Sequence, residues 1–249
     1  MPVILKQLPD WRSSERIEGE FFYGKPSLAL NQAQEYAGEY GSVLSLPPLL
    51  HAVTLDNYSE FKDHHTMSRS EEYWCKSPEG KDKVVVLHGG GILNSPERIK
   101  NLSYERGQAQ DYIMLGEKEV VEFIKNNKIN MIPIDDVMKE RVKEFPAHYG
   151  IFMALDRARG TKSGPQEVDS LYENPLYIAR AGSARQAREH IRWLRDKNKS
   201  FANHHGLDEL DNGFNKGRFL IISGDGTQLS SFGCYGDARF AATKSEGFF

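Results

Sequence analysis

The sequence predicts an α/β fold, with a mostly parallel central sheet flanked by helices and an irregular N-terminal segment. Three observations predict it. Strand-like apolar runs alternate with helix-like segments from Lys83 onward. Those runs are continuously apolar rather than alternating, as expected of strands covered on both faces. And Val84 to Glu97 reads as strand, glycine loop, helix. Val84–Leu87 is apolar and mostly β-branched, Gly89-Gly90-Gly91 follows, and Ser95, Pro96 and Glu97 supply an N-cap, a first helical position and an acidic first turn.

The elements follow in order. Residues 1–26 are punctuated by Pro2, Pro9, Gly19, Gly24 and Pro26 and read as irregular. Ser27 caps a helix to Tyr40, closed by Gly41. Val43–Leu50 is apolar, but Pro47-Pro48 limits it to a short or edge strand. A short helix is expected within 54–65, and polar Ser68–Lys83 reads as loop. The Val84–Leu87 strand leads to a helix ending near Arg106, and a second helix spans Glu117–Asn127. Ile129–Ile134 is a short strand, after which Asp135 caps a helix through Phe145. Tyr149–Leu155 is a strand, Arg157–Gly164 a loop, and Leu176–Ala181 another strand. Ser183 then caps a helix to Asn198, with Gln186 completing a capping box. Arg218–Ser223 is the last clear strand, and Arg239–Ala242 an edge strand.

Composition bounds the function. The 249 residues form a single α/β domain, in which 1–82 is readable as an irregular extension packed on an 83–249 core. Hydrophobic content of 39% supports a real core. The net charge of −3 points neither to nucleic acid nor to an anionic membrane. The only cysteines, Cys75 and Cys234, exclude a disulfide scaffold and a C-x-x-C site, and they fit a reducing, cytoplasmic setting. No apolar run approaches the roughly 18 residues of a membrane span. Met1–Arg12 lacks the pattern of a secretion signal.

The glycine loop matches neither nucleotide fingerprint. Pro96 removes a donor, and Glu97 places negative charge where an anion would sit. A tight strand-to-helix turn is therefore its first explanation, and ligand contact by the Gly89–Gly91 backbone its second. His88-Gly89-Gly90-Gly91 resembles the oxyanion loop of some lipases and esterases, and also a glycine loop of amino-acid kinases. The esterase resemblance implies a nucleophile elbow. Ala181-Gly182-Ser183-Ala184-Arg185 is the best candidate, but it lacks the second glycine, and no histidine follows His205. The hydrolase triad is rejected on those grounds. The kinase resemblance finds no matching lysine-and-glycine partner near the N-terminus.

A parallel sheet would gather its sites at the strand carboxyl ends. The ligand-binding set predicted on that rule is Gly89, Gly90, Gly91, Asn94, Arg157, Lys162, Ser223, Gly224, Asp225 and Gly226, with His88 and Asp156 as proton-transfer candidates. A small anionic or nucleotide-like ligand fits Arg157 and Lys162. Whether the chain is an enzyme, and which cofactor it uses, the sequence does not say. The alternative is a non-catalytic nucleic-acid or protein interaction module gripping its partner through Arg185, Arg188, Arg192 and Arg195, which repeat at helical spacing over 185–195. Such stripes are more often solvated faces. His64-His65 and His204-His205 are adjacent pairs without metal-ligand spacing, so no metal site is expected.

Overall fold

The computed structural model describes residues 3–5, 17–54, 65–77, 79–100, 112–161, 164–204, 215–223, 225–232 and 237–244. Strands β1 (Val3–Leu5) and β2 (Ile17–Gly24) precede helix α1 (Pro26–Ala37). Then come β3 (Ser42–Val43), α2 (Leu46–Thr54), β4 (Thr66–Lys76), β5 (Asp82–His88) and α3 (Pro96–Lys100). The middle holds β6 (Ile113–Met114), α4 (Glu119–Asn126), β7 (Asn130–Pro133), α5 (Ile134–Met138), β8 (Tyr149–Ala154) and α6 (Leu155–Arg159). Strand β9 (Gly164–Glu167) runs into a 3-10 helix over Val168–Glu173. Helices α7 (Pro175–Ala181) and α8 (Ala184–Asp196) lead to β10 (Phe201–His204), β11 (Lys216–Ile222), β12 (Gln228–Phe232) and β13 (Ala238–Thr243).

Strand β4 is the trunk of the sheet. One edge pairs antiparallel with β11 from Thr66 to Trp74. The other edge is shared: Met67 meets Phe240 of β13, and β5 takes over from Glu71. The sheet therefore forks near Ser68–Ser70. One arm continues through β13 to β2 and β1, the other through β5 to β8 and β7. Side chains at the fork bind the backbone that the ladder leaves unpaired. The Leu46 N–H donates to Ser70 Oγ at 2.9 Å, and Ser68 Oγ donates to the Leu220 carbonyl at 2.8 Å.

Two apolar layers cover the sheet. Trp74, Val84, Val86, Ile151, Leu220 and Ile222 face α2, α5, α6, α7 and α8. Tyr73, Val85, Leu87, Phe219, Ile221 and Phe240 face α1, α3 and α4. The alternation along β4, β5 and β11 assigns successive residues to opposite layers.

The predicted mostly parallel sheet is not what forms. Among the described residues only β7–β8, β10–β12 and β13–β4 pair parallel; the other ladders are antiparallel. Continuously apolar strands report burial on two faces, and here an antiparallel sheet meets that condition as well. Short returns such as Ser77–Lys81 between β4 and β5 need no crossover helix.

Other expectations change with it. Residues 68–83, read as loop, contain most of the central strand. Leu176–Ala181, read as strand, is helix α7: the Asn174 side chain accepts from the Tyr177 N–H, Pro175 opens the first turn and left-handed Gly182 closes it. An apolar run this short does not distinguish the two states. The N-terminal segment is not irregular throughout, since β1 and β2 form there. Pro47-Pro48 sits in the first turn of α2, where a missing N–H costs nothing. Strand β13 is interior rather than an edge. Asp135 lies inside α5, whose N-cap is Pro133. Ser183 does cap α8, accepting from the Gln186 N–H at 3.0 Å, but the Gln186 amide does not reciprocate.

Beneath α7, Arg180 and Glu72 form a fully buried bidentate pair, Nε to Oε2 at 2.8 Å and Nη2 to Oε1 at 3.0 Å. Arg180→Met leaves the carboxylate buried without its counter-charge. Its expected cost is about 3–5 kcal/mol. Combining it with Glu72→Leu recovers a large part of that loss, as read from urea midpoints at unchanged slope.

Candidate functional site

The glycine loop wraps side chains of its own chain. Gly89 and Gly90 take φ of +93° and +111°. A Cβ on Gly90 would lie 2.6 Å from Arg69 Nε, and one on Gly91 would lie 2.6 Å from Glu71 Oε2. A Cβ on Gly89 would press on the Ala147 carbonyl. The loop is then fastened by four contacts. Glu71 Oε2 accepts from the Leu93 N–H at 2.7 Å, and the Tyr73 hydroxyl accepts from the Ile92 N–H at 2.8 Å. His148 Nε2 donates to the Gly90 carbonyl at 2.7 Å, and Gln34 donates to the Asn94 carbonyl at 3.1 Å. The Tyr73 hydroxyl also donates to Glu71 through a short contact. Burial raises the Glu71 carboxyl to about 7 against these donors, and lifts Tyr73 well above its ordinary value.

His88 is wholly buried. Ser70 Oγ donates to its Nδ1 at 2.8 Å, and its Nε2 donates to the Ala179 carbonyl at 2.9 Å. Burial pushes it down to about 4, so it stands neutral in the geometry of one donor and one acceptor. Sequence reasoning overlooked its counterpart, His190. That ring accepts from the Tyr177 hydroxyl at 2.5 Å and donates to the Gly226 carbonyl at 2.8 Å. It too is held near 4 by burial. Its position among apolar residues on the inner face of α8 was the available signal.

The second glycine loop forms the turn between β11 and β12. Asp225 accepts from the Ser223 and Thr227 hydroxyls, at 2.7 and 2.8 Å, and from the Thr227 N–H at 3.1 Å. Burial works against its charge, but these donors prevail and keep its pKa low. Gly226 packs against Trp193 and Val53, on the layer opposite Glu71 and Tyr73. The two glycine loops thus lie on opposite faces of the sheet and share no cleft.

The remaining predicted residues are dispersed. Asp156 and Arg157 are exposed on α6, where Arg157 pairs with Asp135 at 2.7 Å. Asn94 closes the first glycine loop. Lys162 and Gly224 lie outside the described residues, as do His64, His205 and Cys234; His65 is exposed. Burial pushes the Cys75 thiol up to about 12, which removes it as a nucleophile at neutral pH. Along α8, Arg185, Arg188 and Arg195 each hold a carboxylate, from Glu189, Glu140 and Asp169. Among the described residues no group of three or more His, Cys, Asp and Glu side chains is placed to hold a metal.

A recess of about 490 Å³ lies where α8 ends and β9 and β10 meet. Glu167, Asp169, Arg195, Lys199 and Phe201 surround it, with Val168 below. Phe201 is 56% exposed there. The pairing of Phe201 with Glu167 across β9 and β10 fixes its rim.

No protein-family model and no curated protein matches the chain. It superposes on a solved structure that describes accommodation of massive sequence variation in Nanoarchaeota by the C-type lectin fold. The TM-score is 0.70 at 18% identity, over 91% of this chain and 98% of that one. The fold is C-type-lectin-like. That likeness also overturns the parallel α/β expectation, and with it the strand-end rule that had grouped the site residues. Among the described residues, the C-type-lectin-like fold contains no helix long and apolar enough to cross a membrane.

Two outcomes are expected. Gly91→Ala, at a position without positive φ, drives its methyl into Glu71 and Tyr73 and lowers stability by about 1–3 kcal/mol in urea titrations. Acidification tests the histidines. The unfolded chain protonates them below about pH 6.5, whereas folded His88 and His190 resist to about 4. Their contribution is therefore intact above pH 6.5 and lost as pH falls towards 4. Glu71 acts in the opposite sense over its own interval, one group against two, so the urea midpoint falls between pH 6.5 and pH 4.5.

Proposed function

We propose that this chain is a non-catalytic binding module, in which a rigid C-type-lectin-like scaffold takes a small anionic ligand in the recess beside α8. The observation that carries the reading is the grouping of Arg195, Lys199 and the exposed Phe201 ring around one concavity. Arg195 is already held by Asp169, with Nε at 2.7 Å from Oδ1, and lies over the Tyr172 ring. Among the described residues Lys199 has no carboxylate within 4 Å, although its charge is felt by Asp225, and it supplies the charge to which an anion can respond. Phe201 offers a flat apolar face beside it, the pairing of surfaces that a nucleotide-like or aromatic anion uses.

Non-catalytic action is supported by where the ionisable groups of the interior are spent. His88, His190, Glu72 and Arg180 are each buried and bound to partners within the fold. The neighbouring structure is one whose fold accommodates massive sequence variation. A scaffold held by such interior pairs leaves its surface residues free to change, which suits recognition. A cytoplasmic setting accompanies the reading. The rest of the arginine face of α8 is less suited to recognition, because Arg185 and Arg188 are already matched by Glu189 and Glu140.

The test is a titration with nucleotides, sugar phosphates and aromatic carboxylates, followed by amide and Lys side-chain NMR shifts. Ligand-dependent shifts centred on Lys199 and Phe201 are expected, with affinity reduced tenfold or more in Lys199→Glu and in Phe201→Ala at unchanged melting temperature. Shifts absent from the recess across the whole set would overturn the reading. Heparin retention abolished by Arg188→Ala with Arg192→Ala would move recognition to the helix face.

A further inference from the structure

We propose that the recess beside α8 is one half of a groove for a short extended peptide. The peptide sets a free C-terminal carboxylate at Lys199, and a leucine-sized side chain two residues upstream enters a second, apolar pit. The inference rests on the recess being the recognition site and names the class of ligand it takes.

The pit lies further up the same helix. Its volume is about 50 Å³, and Met138, Tyr172, Ile178, Ala184, Ala187 and Arg188 line it. At roughly 10–15 Å³ for each water-sized group, it holds about four carbon atoms, the isobutyl group of a leucine. Ile178, Ala184 and Ala187 are buried and give it apolar walls. The one cation at its rim is already used, since Arg188 pairs with Glu140 at 2.6 Å.

Recess and pit meet at a shared partition. The Arg195 guanidinium, which lines the recess, lies 5.2 Å from the centroid of the Tyr172 ring, which lines the pit. Ala184, Arg188 and Arg195 fall within about 40° of one another around α8, so both concavities lie along one strip of the helix. From Arg188 to Arg195 that strip runs about 10 Å. An extended peptide covers the span in about three residues at roughly 3.4 Å each.

The charges of the recess favour a peptide over a phosphate ester. Glu167, Asp169, Arg195 and Lys199 give it both signs equally. Asp169 and Arg195 match each other. Among the described residues Glu167 and Lys199 form no ion pair within 4 Å, so these two opposite charges are left for a ligand. A multiply charged phosphate there meets Glu167 as well as Lys199. A peptide terminus brings one negative charge for Lys199 and backbone N–H donors for Glu167. Arg195 places Nε and Nη2 on Asp169, which leaves Nη1 to donate to a peptide carbonyl. The exposed Phe201 ring receives an aromatic side chain on the terminal residue.

Calorimetric titration and methyl NMR on the full chain test this with three probes: Ac-Leu-Gly-Phe with a free carboxylate, Ac-Gly-Gly-Phe, and the C-terminal amide of the first. The first is expected to bind tenfold or more tighter than either of the others. Intermolecular NOEs are expected between its leucine methyls and the methyls of Ala184 and Ala187. Ala184→Leu, which fills the pit, cancels the advantage over Ac-Gly-Gly-Phe, and Lys199→Gln cancels the advantage over the amide. The NOEs come from the unaltered protein and decide the question even where Ala184→Leu lowers the melting temperature. Equal affinity for Ac-Leu-Gly-Phe and Ac-Gly-Gly-Phe, with both shifting Lys199 and Phe201, overturns the groove and leaves the recess standing as a site for the carboxylate alone. Silence at Lys199 and Phe201 with all three probes also overturns it; the recess itself falls only if nucleotides and sugar phosphates are silent there too.

Discussion

The fold depends on a polar strand being made to sit at the centre of an apolar body. Strand β4 carries Thr66, Ser68, Ser70, Glu71 and Glu72 into full burial, and each would be costly alone. The Glu72–Arg180 pair settles the largest of these debts and ties α7 to the sheet. Once that helix is fixed, the Ala179 carbonyl meets His88, and Gly182 comes against Pro47 and Tyr149. Tyr149 closes the corner by donating to the Gly182 carbonyl at 3.0 Å. One ion pair thus sets the position of α7, the start of α8 and the tautomer of a buried imidazole. A buried pair of this kind adds little net stability over an apolar replacement.

The two faces of the sheet solve the same problem differently. Beneath α7 and α8, Glu72 is matched by a bidentate arginine, and the neutral histidines His88 and His190 each bind two partners within the fold. On the α1 face, Glu71 and Tyr73 are met by the backbone of a glycine-rich loop that has no side chains to offer. That loop has to come within van der Waals contact of β4, and glycine is the residue that lets it. The three glycines are therefore explained by the packing of the chain on itself.

Much of the helical layer was legible in the sequence. The apolar spacing of α1 and α8, the Ser183 cap and the strand at Val84–Leu87 stand where pattern placed them, and the strand read over Tyr149–Leu155 forms one residue shorter, as Tyr149–Ala154. The trunk strand was not legible. Thr66–Lys76 has the composition of a loop, and its burial is licensed by Arg180 and Leu93, residues far away in sequence. Strand direction was hidden as well, because Val84–Leu87 looks the same in either sense. From that single unknown came the wrong gathering of Gly89, Asp156 and Asp225 at one rim. The recess at Phe201 left no motif, since two stretches distant in sequence, Glu167–Asp169 and Arg195–Phe201, build it.

The placement of β13 has a consequence for how the chain is made. It lies between β2 and β4, with six residues of β2 in register from Gly19 to Gly24. A nascent polypeptide would have exposed the seam between β2 and its trunk until Ala238–Thr243 had left the ribosome. Closure then joins segments separated by most of the chain, a slow step in any topology. During that wait the unpaired backbone edges of β2 and β4 stand open to neighbouring molecules, the condition under which aggregation competes with folding.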